Sequence, residues 1–186
     1  MKVTREEAQR NREKVVEAAA RRFRERGFEG IGVAELMKEA GLTHGGFYGH
    51  FDSKEQLMAE ALELALARSR ERWARRAASS PEDPVGALAR MYLTTRHRDE
   101  PGDGCVMSAL ATDVSRQGEP VRRAFSTGLR SSIEFLSRLV KGSTAAARRR
   151  KAIATYASWV GALVLARAVA DDDALSREIL AAVADD

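Results

Sequence analysis

Apolar residues recur along this chain three and four positions apart, the period of one helix face, and no stretch alternates as a half-buried strand does. Val15, Ala19 and Phe23 mark such a face on a first helix, opened by a Thr4 to Glu7 capping box and stopped by Gly27. Val33, Leu36, Met37 and Ala40 mark a second, short helix closed by Gly41. Ser53, with Gln56 at the N3 position, caps a long helix that turns Leu57, Ala61, Leu64 and Ala65 inward. The two prolines of "SSPEDP" (79–84) end it. Beyond them the pattern predicts helices over about 85–98, 105–117, 119–141, 144–170 and 172–183, with a turn "DEPGDG" and a break at Gly118. The 119–141 helix is the most regular, with Val121, Phe125, Leu129, Ile133, Leu136 and Val140 on one face. The fold class is therefore all-α, with about nine helices, no repeat and no low-complexity tract.

One stretch resists this pattern. "THGGFYGHF" (43–51) lies between helical neighbours yet holds Gly45, Gly46 and Gly49, each costing about 1 kcal/mol relative to Ala inside a helix. A short helix, the turn "GLT" and a second short helix form the helix-turn-helix layout, whose second helix enters the major groove of DNA. Thr43 stands where an N-cap is wanted, and its hydroxyl also suits a phosphate at the partly positive helix end. Tyr48, His50 and Lys54 supply donors to phosphate oxygens along one flank, while Phe47 and Phe51, four apart, face inward. Either the stretch is a loop, or it is a helix that needs its backbone bare.

Composition narrows the classes. At 186 residues, 44% hydrophobic and 31% charged, the chain is a soluble globular type with material for one full core, or a small module fused to a larger one. A net charge of +4 and a pI near 9.5 suit a polyanionic partner. One cysteine excludes an internal disulfide framework and fits a reducing cytoplasm. The charged start "MKVTREEAQRNREK" has no apolar segment for a secretory signal. The longest uncharged run, Ala152 to Ala166, is shorter than the roughly 20 residues that span a bilayer. The expected location is the cytoplasm, with no membrane partner. His44, His50 and His97 do not stand at ligand spacings, the glycines lack a phosphate-loop pattern, and no nucleophile has a recognisable base. No metal, cofactor or enzymatic activity is expected; an enzyme on a helical bundle stays as a third option, to be revived by an activity that needs Cys105.

Two further features belong to the C-terminal half. Cys105 opens a helix, where amide dipoles favour a reactive thiolate, against the alternative that it is a small buried apolar residue. The run 152–166 is apolar all round, so it needs cover on every side, and its small residues Ala157, Ser158 and Gly161 admit a close helix. With Leu165 and with Leu175 and Ile179 of "LSREILAAVA", it suggests a four-helix interface between two copies of the chain; a buried central helix in a monomer is the competing reading.

"FRERGFEGIGVAELMKEAGLTHGGFYGHFDSKEQLM" resembles the N-terminal domain of the tetracycline-repressor (TetR) family of bacterial transcription regulators, and "ARAVADDDALSREIL" looks like the final two helices of many members. The resemblance implies a three-helix DNA-binding domain at 8–68 and a C-terminal regulatory and dimerisation domain at 69–186. It implies that Thr43, Tyr48, His50 and Lys54 touch the DNA backbone, with Arg12 a further phosphate contact, and that His44, Gly45 and Gly46 face base edges. Gly32 is a departure, since the family usually has Thr or Ser there. The resemblance also makes a ligand pocket of Met91, Tyr92, Thr95, Cys105, Met107, Leu110, Phe125, Leu129 and Trp159, residues that composition alone would leave as core. The implied protein is a ligand-responsive repressor that binds a palindromic double-stranded operator as a homodimer and is released by a small-molecule effector. A helical ligand-binding or adaptor protein without DNA activity is the reading from another class. The sequence leaves open the effector, the operator and its genes, repression against activation, and whether Cys105 is chemically used.

Overall fold

The first helix, α1 (Arg5–Arg26), starts on the capping box: the Thr4 hydroxyl accepts from the Glu7 amide at 3.2 Å and the Glu7 carboxylate from the Thr4 amide at 2.8 Å. It buries Val15, Ala19 and Phe23 and stops at Gly27, whose φ of 74° and ψ of 172° suit glycine alone. The structure, a computed structural model, describes residues 4–184; the first three residues of the charged start lie outside them. Among the described residues there are nine α-helices, two short 3-10 segments and no strand.

After α1 come α2 (Val33–Glu39), a 3-10 segment His44–Gly49, and α3 (Lys54–Ala78). Ser53 caps α3 by accepting from the Gln56 amide at 3.1 Å, while the Gln56 side chain accepts from the Asp52 amide at 2.7 Å. The C-terminal half holds α4 (Pro84–Tyr92), α5 (Thr95–Asp99), a 3-10 turn Pro101–Asp103, α6 (Val106–Val114), α7 (Glu119–Leu139), α8 (Ala145–Ala168) and α9 (Asp173–Ala184). The helix expected over 85–98 is two helices. Leu93, with ψ 68°, leaves the helical region, and the Thr94 hydroxyl starts a new cap by accepting from the His97 amide at 3.1 Å. The helix expected to reach Gln117 ends at Val114.

Helix α3 is common to both halves. Its first part packs on α1, and its length lies along α7, so it runs unbroken across residue 68. Leu57, Ala61, Leu62 and Leu66 fill the first core with Phe23, Phe28 and Phe51. Further along, Trp73 anchors a second cluster, with ring centroids 5.2 Å from Tyr156, 6.0 Å from Trp159 and 6.3 Å from both Tyr92 and Phe135. The contacts with Tyr92, Tyr156 and Trp159 are edge-to-face and add packing beyond area burial.

Candidate nucleic-acid interface and regulatory cavity

The segment His44–Gly49 is held from below by one buried aromatic pair. Phe47 stacks on Phe51 at 5.4 Å, and both are 1% exposed. Thr43, His44, Gly45 and Gly49 are exposed, and Tyr48 is 75% exposed, an unusual position for an aromatic ring. His50 closes the segment, half-buried. The segment is a 3-10 helix where the sequence reads simply as helix, and Thr43 makes no capping bond to it. The glycines at 45 and 49 answer to nothing inside the chain, since a Cβ at either would meet open space; at Gly46 it would meet Met37 at an ordinary 3.7 Å.

Two of the expected phosphate donors are engaged within the fold. The Arg12 guanidinium pairs with Glu60, lies over the Phe51 ring at 4.7 Å and donates to the His50 carbonyl at 3.2 Å. Arg12 thus braces the recognition segment from within the fold, through contacts that sequence spacing of 38 and 48 residues does not reveal. Lys54 donates to the Phe28 carbonyl at 2.6 Å, with Glu29 at 3.9 Å. Gly32 is the N-cap of α2 without any side-chain cap, and a Cβ there would also meet open space.

A cavity of about 380 Å³ opens between α3, α4 and the 94–105 connection, lined by Trp73, Met91, Tyr92 and Cys105 and by Arg72 and Asp103 among its polar groups. Of the nine expected pocket residues it gathers Met91, Tyr92 and Cys105. Thr95 starts α5 outside it. Met107 and Leu110 are buried core, Leu110 beside Phe23 and Leu62. Phe125 and Leu129, partly buried, pack against the core from α7. Trp159 faces a different groove, beside Lys151 and Ser158 of α8. Periodicity identified these side chains as inward-facing, but inward includes the plain core. The cavity's polar lining was missed, because Arg72, Arg96 and His97 sit on faces that read as solvated.

His97 is the best-determined group here. Its Nδ1 lies 2.7 Å from the Tyr92 carbonyl, which only accepts, while its Nε2 takes the Cys105 amide at 2.8 Å. One nitrogen must donate and the other accept, which fixes a neutral ring in one tautomer. Burial pushes its pKa down to about 4, despite the opposing Tyr92 carbonyl. Cys105 is the N-cap of α6 and 5% exposed, its Sγ 3.4 Å from the Tyr156 hydroxyl. Burial, and then the nearby Cys105, push the Tyr92 and Tyr156 phenols well above their usual range. The Tyr92 hydroxyl is buried with no partner among the described residues.

The cavity is tied outward in two directions. At the far end of α6 the Asp113 carboxylate accepts from the Phe28 amide at 3.3 Å, in the connection between α1 and α2. Arg24 of α1 donates to the carbonyl of Gly102, next to the cavity-lining Asp103. Toward the C-terminus, Arg167 of α8 reaches the His97 carbonyl at 2.7 Å and the Ser108 hydroxyl at 3.1 Å, and Arg98 reaches Asp173 at 3.0 Å and Ser176 at 2.8 Å on α9.

Residues 15–61, which hold the helix-turn-helix just described, match the model for "Bacterial regulatory proteins, tetR family". The regulator TtgR of Pseudomonas putida is 37% identical over 91 residues, which take in 48% of this chain and 43% of that one. The repressor NemR of Escherichia coli is 28% identical over 153 residues, 77% of each chain. The crystal structure of E. coli NemR in its reduced form superposes with a TM-score of 0.78 at 27% identity, over 94% of both chains. Residues 15–61 thus carry a domain of the tetR family. AibR, solved with isovaleryl coenzyme A and operator DNA, shares the fold at a TM-score of 0.61 and 18% identity, over 84% of this chain and 85% of that one. The match to TtgR spans less than half of that regulator's length.

Proposed function

We propose that the protein is a ligand-responsive transcriptional repressor that binds a palindromic operator as a homodimer. The observation that carries this reading is the exposed recognition segment 43–49, whose aromatic underside is fixed while its outer face offers Thr43, His44 and Tyr48 to a partner. Open space at Gly45 and Gly49 is what a close-approaching DNA backbone needs. His44 with Gly45 and Gly46 faces base edges; Thr43, Tyr48, His50 and Lys54 face phosphates, Lys54 provided that DNA draws it from the Phe28 carbonyl.

Dimerisation through α8 and α9 has its own support. Ile153, Val164, Leu165 and Leu175 are 43%, 44%, 57% and 41% exposed, and Ala157 and Ser158 are exposed between them. Gly161 and Ile179 flank them, half-buried. Together they make an apolar stripe with small residues at its centre, the surface that two copies need to form a four-helix bundle. In such a dimer two recognition segments would enter successive major grooves about 34 Å apart.

Regulation follows if an effector in the 380 Å³ cavity favours a conformation whose recognition segments are wrongly spaced. AibR, of the same fold, was solved with both isovaleryl coenzyme A and operator DNA. The test is a gel shift with the DNA upstream of the gene at several salt concentrations. A specific complex whose affinity falls steeply with salt supports the reading. A folded dimer that binds no DNA at any low salt would refute it and favour a helical ligand-binding or adaptor protein.

A further inference from the structure

A second hollow adjoins the cavity. Arg72 and Asp103, which line the cavity, also bound this hollow of about 130 Å³, whose other walls include Arg24 of α1 and Arg68 of α3. The charges in that hollow do not balance. Arg68 is paired with Glu17, and Arg21 on the rim is paired with Glu25. Arg24 donates from Nε to the Gly102 carbonyl at 2.9 Å, and Arg72 donates to the Asp103 carbonyl at 3.4 Å. Neither has a carboxylate partner among the described residues, and Asp103 is the one further anion that lines the hollow. A guanidinium presents a planar fork of donors suited to a carboxylate, so two of them holding only carbonyls leave much of that capacity unused.

On the cavity side of Arg72 the wall is apolar and aromatic: Trp73, Met91 and Tyr92. The Tyr92 hydroxyl is buried without a partner among the described residues. A volume of about 380 Å³ lies within the range of small-molecule sites and admits a body of two fused rings.

We infer that the effector is an amphiphilic carboxylate, its flat apolar body against Trp73, Met91 and Tyr92 and its anionic end seated between Arg72 and Arg24. This rests on the effector pocket of the preceding section. The seat joins two helices, since Arg24 belongs to α1 and Arg72 to α3. Burial and then the neighbouring Arg72 push Arg24 down to about 10, the direction expected where cations outnumber anions. A carboxylate there relieves that repulsion and draws α1 toward α3, which couples occupancy to the helices that hold the recognition segment.

The test uses the full chain and calorimetric titration with 2-naphthoate and its uncharged counterpart 2-naphthamide at pH 7.5. The acid is expected to bind at least about tenfold more tightly than the amide, a difference of roughly 1.4 kcal/mol. Arg72→Gln, at an exposed side chain, should bring that ratio to within about twofold of one. Arg24→Gln should do the same, and Arg24→Lys should restore part of it. Arg130→Gln, an exposed arginine on α7, controls for net charge and should leave the ratio unchanged. Equal affinity for acid and amide, no binding of either at millimolar concentration, or a preference that survives both glutamine variants would overturn the inference. DNA binding measured on the same samples separates the two readings: if it persists while the preference is absent, the carboxylate seat alone falls.

Discussion

Replacing Gly27 with alanine tests whether the joint between α6 and the DNA-binding half is built as described. Gly27 has φ 74° and ψ 172°, a region essentially closed to other residues, so the backbone strain alone costs about 1–3 kcal/mol. The new Cβ would also stand 2.6 Å from Asp113 Oδ2, the atom that accepts from the Phe28 amide. Moving that carboxylate strands a backbone donor at about 1–3 kcal/mol, and the 3.3 Å bond to a side chain 30% exposed places it near the lower figure. The expected total for Gly27→Ala is about 3 kcal/mol, and for Asp113→Ala alone about 1 kcal/mol. In the double variant the displaced bond is already gone, so only the strain remains to be added. The two changes should then fall short of additivity by about 1 kcal/mol. Urea unfolding of the four proteins, with equal m values, measures this directly. Additivity within about 0.4 kcal/mol, or a Gly27→Ala cost below about 1 kcal/mol, would refute the joint.

Other outcomes follow from the same contacts. Gly32→Ser should stabilise the chain by a few tenths of a kcal/mol in urea unfolding, because extended φ and ψ of −89° and 159° and open space let the hydroxyl cap α2. Arg12→Ala should cost about 1–3 kcal/mol of stability, and its loss of DNA affinity should disappear when compared at equal folded fraction; a reduced salt slope in fully folded protein would return Arg12 to the phosphates. His44→Ala should relax sequence preference, whereas Lys54→Ala should weaken binding to all sequences alike, read by competition gel shifts; equal loss on specific and non-specific DNA from both would assign specificity to DNA shape. His97 is held neutral with its pKa pushed down to about 4 from 6.5, so the unfolded chain binds the proton first. Its contribution to stability is complete above pH 6.5 and is lost as pH falls toward 4, by up to roughly tenfold in the folding constant per pH unit. His97→Asn should flatten that part of the profile.

How far the sequence was legible differs between the two halves. Helix α1, α2 and the caps at Thr4 and Ser53 depend on residues three or four apart, and a linear pattern carries that information fully. The break at Leu93 did not show, because Thr94 caps α5 inside an otherwise continuous apolar period. The bracing contacts of Arg12 did not show for a related reason: its partners Glu60 and His50 are distant in sequence, and a basic residue near a helix start looks the same whether it meets phosphate or carboxylate. The cavity was legible only in Met91, Tyr92 and Cys105. Its polar side lies on the outer face of α3 and in the short α5 region, where Arg72, Arg96 and His97 read as ordinary solvent-facing residues.

Helix α3 sets the scale of motion that regulation requires. From Arg72 at the cavity to Lys54 beside the recognition segment is 18 residues, about 27 Å of continuous helix at 1.5 Å per residue. Pivoting that length by 5° about Arg72 carries Lys54 through roughly 2.4 Å. In a symmetric dimer both ends move, so the spacing of the two recognition segments changes by up to nearly 5 Å, more than the reach of a hydrogen bond. On the proposed dimer reading, a rotation of that size at the cavity would be enough to decide whether both segments find their grooves at once.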